Sequence, residues 1–313
     1  MDRVFICIAA ISLLSHSLIS VHCASFRFVN DCRHTVWPGL LSGANTAQLP
    51  TTGFTLKPGK SRTVIVPKSW SGRVWGRTLC FRNESTSKFT CLTADCGSGT
   101  VECAGSGAIP PATLAEFTLN GAGGLDFYDV SLVDGYNLPI LVVAKGGASG
   151  DCSATGCLVD LNGACPSDLK VTISGGGNGS RSAAAVACKS ACEAFGDPQY
   201  CCSEAYNTPA SCYPSVYSLF FKHACPRSYS YAYDDKTSIF TCASADYVII
   251  FCPPPYTSQE LLGRRRKAGE LPLVNKTMMH LHASSGSPAT HVLLPLIAGA
   301  GTVLLSNFWT LVV

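Results

Sequence analysis

Between Ala24 and Pro254 the chain lacks any net charge: 17 Lys and Arg balance 17 Asp and Glu. The formal +3 of the whole chain comes from outside that span, chiefly from Arg264-Arg265-Arg266-Lys267. A neutral body carries no electrostatic footprint for a phosphate backbone, which sets nucleic acid aside as a partner. Histidine is also scarce. His34 and His223 are the only two between Cys32 and Cys252, and zinc sites favour short paired cysteine spacings with histidines nearby. Neither histidine lies by a serine or cysteine nucleophile motif, which argues against a catalytic triad. No phosphate loop or cofactor motif is present. Neither a metal nor a cofactor is expected.

Cysteine is abundant instead. Of the 18 in the chain, 16 run from Cys32 to Cys252. An even count behind a secretory leader reads as a disulfide framework. The adjacent pair Cys201-Cys202 cannot easily bond to itself, so each member must reach a different partner. Sixteen cysteines allow roughly two million pairings, and counting alone leaves all of them open.

Residues 1–23 read as a signal peptide: Arg3 supplies a positive start and Val4 to Ile19 is uncharged and mostly apolar, with cleavage expected ahead of Ala24. That run is too short to span a bilayer comfortably. Residues 24–254 form the expected domain. Phe26-Arg27-Phe28-Val29 alternates, and Thr35-Val36-Trp37, Phe54-Thr55-Leu56 and Ser61 to Val66 continue in strand-like composition. Val74-Trp75-Gly76, Glu116 to Leu119, Leu125 to Val133 and Leu138 to Ala144 follow. Many short strands with 29 glycines point to a mainly β fold, a sandwich or flattened barrel. The second half changes character. Its Ala-rich Ser182 to Cys192 predicts a helix capped by Ser180 or Ser182, with Cys188 and Cys192 on one side. The loops around it need crosslinks, each contributing about 2–4 kcal/mol.

After Pro253-Pro254-Pro255 the composition shifts, and 255–283 reads as a polar, basic linker. Residues 284–313 end in an uncharged run from Val292. Two anchors fit it: a transmembrane tail, or a glycolipid (GPI) attachment signal with Ser284 or Ser285 as the attachment point. No basic residue follows the run, which favours GPI. Either way the domain faces outward from a membrane. Asn83, Asn178 and Asn275 each begin a glycosylation sequon.

Several stretches carry a more specific signal. They are Val29-Asn30-Asp31-Cys32 leading to Thr35-Val36-Trp37-Pro38, Arg73-Val74-Trp75-Gly76-Arg77-Thr78, and Cys91-Leu92-Thr93-Ala94-Asp95-Cys96. Leu125 to Gly135, Gln199-Tyr200-Cys201-Cys202 and Tyr229-Ser230-Tyr231-Ala232-Tyr233-Asp234-Asp235 complete them. From Ala24 to Pro254 the chain resembles the thaumatin-like, pathogenesis-related plant proteins, all 16 cysteines in order. The resemblance implies a flattened antiparallel β-sandwich core with disulfide-rich lobes containing short helices. It implies eight bridges: Cys32–Cys252, Cys80–Cys91, Cys96–Cys103, Cys152–Cys242, Cys157–Cys225, Cys165–Cys188, Cys192–Cys201 and Cys202–Cys212.

It also implies an acidic cleft between core and lobe. Carried over residue by residue, the cleft contains Arg73, Glu116, Asp129 and Asp134. The family's last aspartate follows a Cys-Pro pair, and here that position reads Cys225-Pro226-Arg227. Counting Arg227 in, the five residues sum to −1. An added cation favours ionised carboxylates and so opposes a general acid. The expected function is that of a secreted, membrane-tethered defence protein, a monomer, binding β-1,3-glucan in that cleft. Phe127, Tyr128 and Tyr229 are candidates to stack on sugar, although large aromatics in strands commonly pack inward. Two alternatives stand beside it: a weak endo-β-1,3-glucanase with Glu116 as acid and Asp129 as base, and a non-catalytic cell-surface interaction module.

Overall fold

The computed structural model describes residues 23–174 and 183–254. Residues 1–22 of the signal segment, Ser180 and Ser182, Asn178, Asn275, the linker, Ser284, Ser285 and the apolar tail lie outside them. Fourteen strands are present among the described residues. In chain order they are β1 (Ala24–Asn30), β2 (Trp37–Ser42), β3 (Ser61–Val66), β4 (Ser71–Arg82), β5 (Phe89–Thr93), β6 (Leu114–Thr118) and β7 (Asp126–Ser131). β8 (Ile140–Lys145), β9 (Ser149–Gly150), β10 (Thr155–Cys157), β11 (Lys170–Ile173), β12 (Ala184–Cys188), β13 (Phe240–Ala243) and β14 (Asp246–Phe251) follow. The fold is mainly β, as the spacing of short strands and turns predicts.

Two sheets make the core. One runs β10-β8-β14-β1-β3, and the other runs β2-β4-β6-β7-β13-β9 with β5 added to β4. Alternation along each strand decides what lies between them. Phe26 and Phe28 of β1 point inward while Arg27 is exposed, and Val64 and Val66 of β3 join them. From the opposite sheet come Val74, Ala115, Phe117, Tyr128, Val130 and Phe240. Aromatic edges lock this layer: Phe26 meets Phe117 at 4.4 Å between centroids and Tyr247 meets Tyr128 at 5.1 Å. The Tyr247 hydroxyl donates to buried Asp126 at 2.9 Å, which satisfies both groups. β1 pairs in parallel with β14, so the two ends of the domain are neighbours. Cys32–Cys252 joins them.

The lobe is built around Leu132, Tyr136, Leu161, Leu169, Phe220 and Phe221, interleaved with Cys157, Cys165, Cys188 and Cys225. Its helices are short: α1 (Ala191–Phe195), α2 (Pro198–Cys201), α3 (Val216–Ala224) and α4 (Asp235–Ser238). The structure holds the same eight disulfides that the resemblance implies, with Cys201 and Cys202 reaching Cys192 and Cys212.

The Ala-rich segment departs from its expected helix. Ala184–Cys188 is strand β12, paired antiparallel to β11, and Cys188 exchanges both backbone hydrogen bonds with Tyr136. The helix starts at Ala191, and its cap is Ser190, whose side chain accepts from the Glu193 amide. Helix propensity is a weak preference that sheet pairing and the Cys165–Cys188 bridge override here. Cys188 and Cys192 therefore share no helix face. Phe54-Thr55-Leu56 is likewise no strand of its own; isolated bridges tie Gly53 to Gly39 and Leu56 to Val36.

Candidate functional site

The outer face of the second sheet is covered at one end by a loop cluster around Trp75, Ala94, Cys96, Cys103, Ala112 and Leu114. Beyond that cover, three polar side chains line up across three strands. Register pairs Arg73 of β4 with Glu116 of β6, and Glu116 with Asp129 of β7. Residues directly opposed on antiparallel strands hold their Cβ atoms roughly 4.5–5.5 Å apart. Each projects outward because its neighbours Val74, Ala115, Phe117, Tyr128 and Val130 fill the inter-sheet core. Arg73 Nε lies 3.7 Å from Glu116 Oε1, and Glu116 keeps 27% of its side-chain surface.

The lobe adds carboxylates around this ladder. Asp134 follows β7, held where its carbonyl accepts from the Ala112 amide and Gly135 turns the chain at φ +83°. Glu193, on α1, is 3.7 Å from Lys189 and near enough to Asp134 for their charges to interact. Asp235, at the start of α4, accepts from the Tyr229 hydroxyl at 2.7 Å and acts on Asp129. Neither Glu193 nor Asp235 was among the residues the sequence nominated. The Asp234-Asp235 pair within the motif was the available signal for the second. Nothing local in Ala191–Phe195 marks Glu193.

The electrostatics follow from this crowding. Burial pushes the Asp129 carboxyl well above the usual aspartate range, with Glu116 and Asp235 pushing the same way and Arg73 opposing. Asp129 Oδ1 is buried without a hydrogen-bond partner among the described residues. Burial also raises Glu116, but its Arg73 partner pulls it back while Asp134 adds to the rise. Asp134 is raised by burial against Arg73, and Glu193 by burial to about 7. Asp129 is thus pushed furthest toward holding its proton, beside a Glu116 whose own rise Arg73 opposes.

Arg227 makes a contact that its motif position does not announce. Its guanidinium lies 4.2 Å from the centroid of the Phe240 ring, a cation–π contact. Phe240 is 8% exposed and belongs to the inter-sheet core. The charge of Arg227 acts on the Tyr128 hydroxyl. The expected sugar-stacking role of Tyr128 and Tyr229 is overturned. Tyr128 is fully buried and Tyr229 is 8% exposed. Phe127 is half-buried. Asn83 is exposed in the β4–β5 turn. No cluster of His, Cys, Asp and Glu suited to a metal occurs among the described residues.

Comparison with known proteins agrees with this architecture. The Thaumatin family matches residues 30–253, and the chain belongs to that family. Thaumatin-like protein 1 of Arabidopsis thaliana is 58% identical over 74% of this chain and 86% of its own length. A protein of Prunus avium named glucan endo-1,3-beta-glucosidase is 48% identical over 81% of this chain and 100% of its own. The PR5-like receptor kinase of Arabidopsis thaliana is 49% identical over 82% of this chain, a match covering 38% of that protein.

Proposed function

We propose that this thaumatin-like protein is an extracellular, defence-related carbohydrate-binding protein whose acidic cleft takes β-1,3-glucan. The observation that carries the reading is the Arg73–Glu116–Asp129 ladder on the outer face of the second sheet. Carboxylates accept from sugar hydroxyls and a guanidinium donates to them, so a row holding both kinds of partner suits a polyhydroxylated chain. Eight disulfides fit an oxidising, extracytoplasmic setting. The relative named as a glucan endo-1,3-beta-glucosidase supports the choice of glucan. Retention of the secreted chain on insoluble β-1,3-glucan, with cellulose and chitin as controls, tests it. No selective retention would leave a non-catalytic interaction module as the working account.

A second reading, slow hydrolysis of that glucan, is favoured by the contrast between the two opposed carboxyls. The roles are the reverse of those expected from the motif. Asp129 retains its proton and acts as general acid, protonating the glycosidic oxygen as the C1–O bond breaks. Glu116, raised by burial less than Asp129 because Arg73 opposes the rise, attacks C1 in its ionised form from the opposite side. Water then cleaves the glycosyl–Glu116 ester and returns a proton to Asp129. Displacement by Glu116 followed by water is a double inversion at C1, the retaining chemistry of glycosidases. Released reducing sugar that first appears as the β anomer is the expected result.

Membrane attachment through Ser284 or Ser285 completes the proposal. Release of the domain from intact cells by phosphatidylinositol-specific phospholipase is expected, and retention would count against a glycolipid.

A further inference from the structure

The β4–β5 hairpin puts an exposed aromatic ring two residues before a glycosylation sequon. Phe81 is 48% exposed, and Leu79 and Leu92 on the same hairpin are 42% and 48% exposed. Phe81 pairs with Thr90, and the turn is closed where the Asn83 amide donates to the Lys88 carbonyl at 2.8 Å. Phe81 is the penultimate residue of β4, and Asn83 directly follows that strand, two positions further on. Asn83 is already arranged as an acceptor site. Its Oδ1 accepts from the Ser85 amide at 3.0 Å, the Ser85 hydroxyl at 2.7 Å and the Thr86 amide at 3.0 Å. That leaves Nδ2, the atom a glycan is joined to, without a hydrogen bond among the described residues.

We propose that Asn83 carries an N-linked glycan whose first N-acetylglucosamine lies on the ring of Phe81. One face of this sugar is a plane of C–H groups, and its slightly positive hydrogens match the negative face of an aromatic ring. Covering the ring also removes apolar surface from water. The donor is a lipid-diphosphate-linked oligosaccharide. Asn83 Nδ2 loses one proton and displaces the lipid diphosphate from C1 of the sugar, forming a C–N bond as a C–O bond breaks. The eight disulfides argue for passage through the oxidising compartment where this donor is used. The inference is independent of what the acidic cleft binds.

The test uses the full chain secreted from a eukaryotic host, with Asn178→Gln and Asn275→Gln so that Asn83 is the remaining sequon. Glycopeptide mass spectrometry reads occupancy. Melting is then compared for the intact glycan, for the glycan trimmed to a single N-acetylglucosamine, and for Asn83→Gln. The trimmed form is expected to melt with the intact one, and Asn83→Gln about 2–4 °C lower. Phe81→Ala should erase that difference and Phe81→Tyr should keep it. Phe81 is exposed, so these variants test the contact rather than the fold. An unoccupied Asn83, a trimmed form that melts with Asn83→Gln, or a difference that persists in Phe81→Ala would overturn the proposal.

Discussion

Glu116 and Asp129 face each other directly across β6 and β7, yet they keep different electrostatic company. Glu116 has Arg73 at 3.7 Å, whereas Asp129 has Glu116 on one side and Asp235 on another. One sheet register thus puts two carboxyls side by side and separates their affinities for a proton. Such divergence between neighbouring carboxyls is what acid–base division of labour requires.

The first prediction concerns pH. The folded state holds the Asp129 proton more tightly than the unfolded chain, whose carboxyl titrates near pH 3.9. Above that pH the native state binds more protons, so stability falls as pH rises toward the folded pKa. Asp129→Asn removes this penalty. It should melt several degrees above the parent at pH 7, at about 2–4 °C per kcal/mol, and converge with it near pH 4. Hydrolysis, if present, should be lost at every pH. Equal melting differences at pH 4 and pH 7 would contradict the assignment.

Arg73→Met separates binding from stability. Both members of the pair keep about a third of their side-chain surface, 34% and 27%, so the fold should lose less than about 1 kcal/mol. Charged hydrogen bonds to a ligand are worth about 1.5–3 kcal/mol. Glucan affinity, read from a binding isotherm, should fall about tenfold or more. Without the cation Glu116 titrates higher, so the acid limb of any pH–rate profile should move up.

Arg227→Ala is expected to act on the fold and leave glucan retention unchanged. Its contact with Phe240 is a cation–π stack at the core edge, worth about 0.5–2 kcal/mol. Denaturant titration should show that loss. A marked change in retention with unchanged stability would return Arg227 to the cleft.

Gly135→Ala tests the junction between ladder and lobe. A Cβ there would meet the Cys188 carbonyl oxygen and Pro111 Cβ, both at 2.7 Å, at a backbone φ of +83°. Strain of about 1–3 kcal/mol is expected. Because Asp134 precedes it, retention on glucan should weaken along with the melting temperature.

Several features were legible in the residues because their causes are local or countable. Period-two alternation marks Phe26 and Phe28 as inward, and both are fully buried. The ordered cysteines carried a family pattern specific enough to imply all eight pairs. Charge balance argued against nucleic acid and scarce histidine against zinc, whereas the family resemblance nominated Glu116, Asp129 and Asp134. By contrast, the Ala-rich run from Ser182 read as helix because propensity is summed along the chain, while its strand partner lies elsewhere in it.

Tertiary structure alone decided the rest. Glu193 and Asp235 reach the cleft from α1 and α4, at sequence separations where no periodicity connects them to Glu116. Arg227 occupies a motif position, but motif position does not say where a guanidinium points, and Phe240 offered it a ring. The division between a proton-holding Asp129 and an ion-paired Glu116 also escapes the sequence. Residue type sets the ordinary pKa, whereas burial and the distance to each neighbouring charge set the shift, and both exist only once the strands are in register.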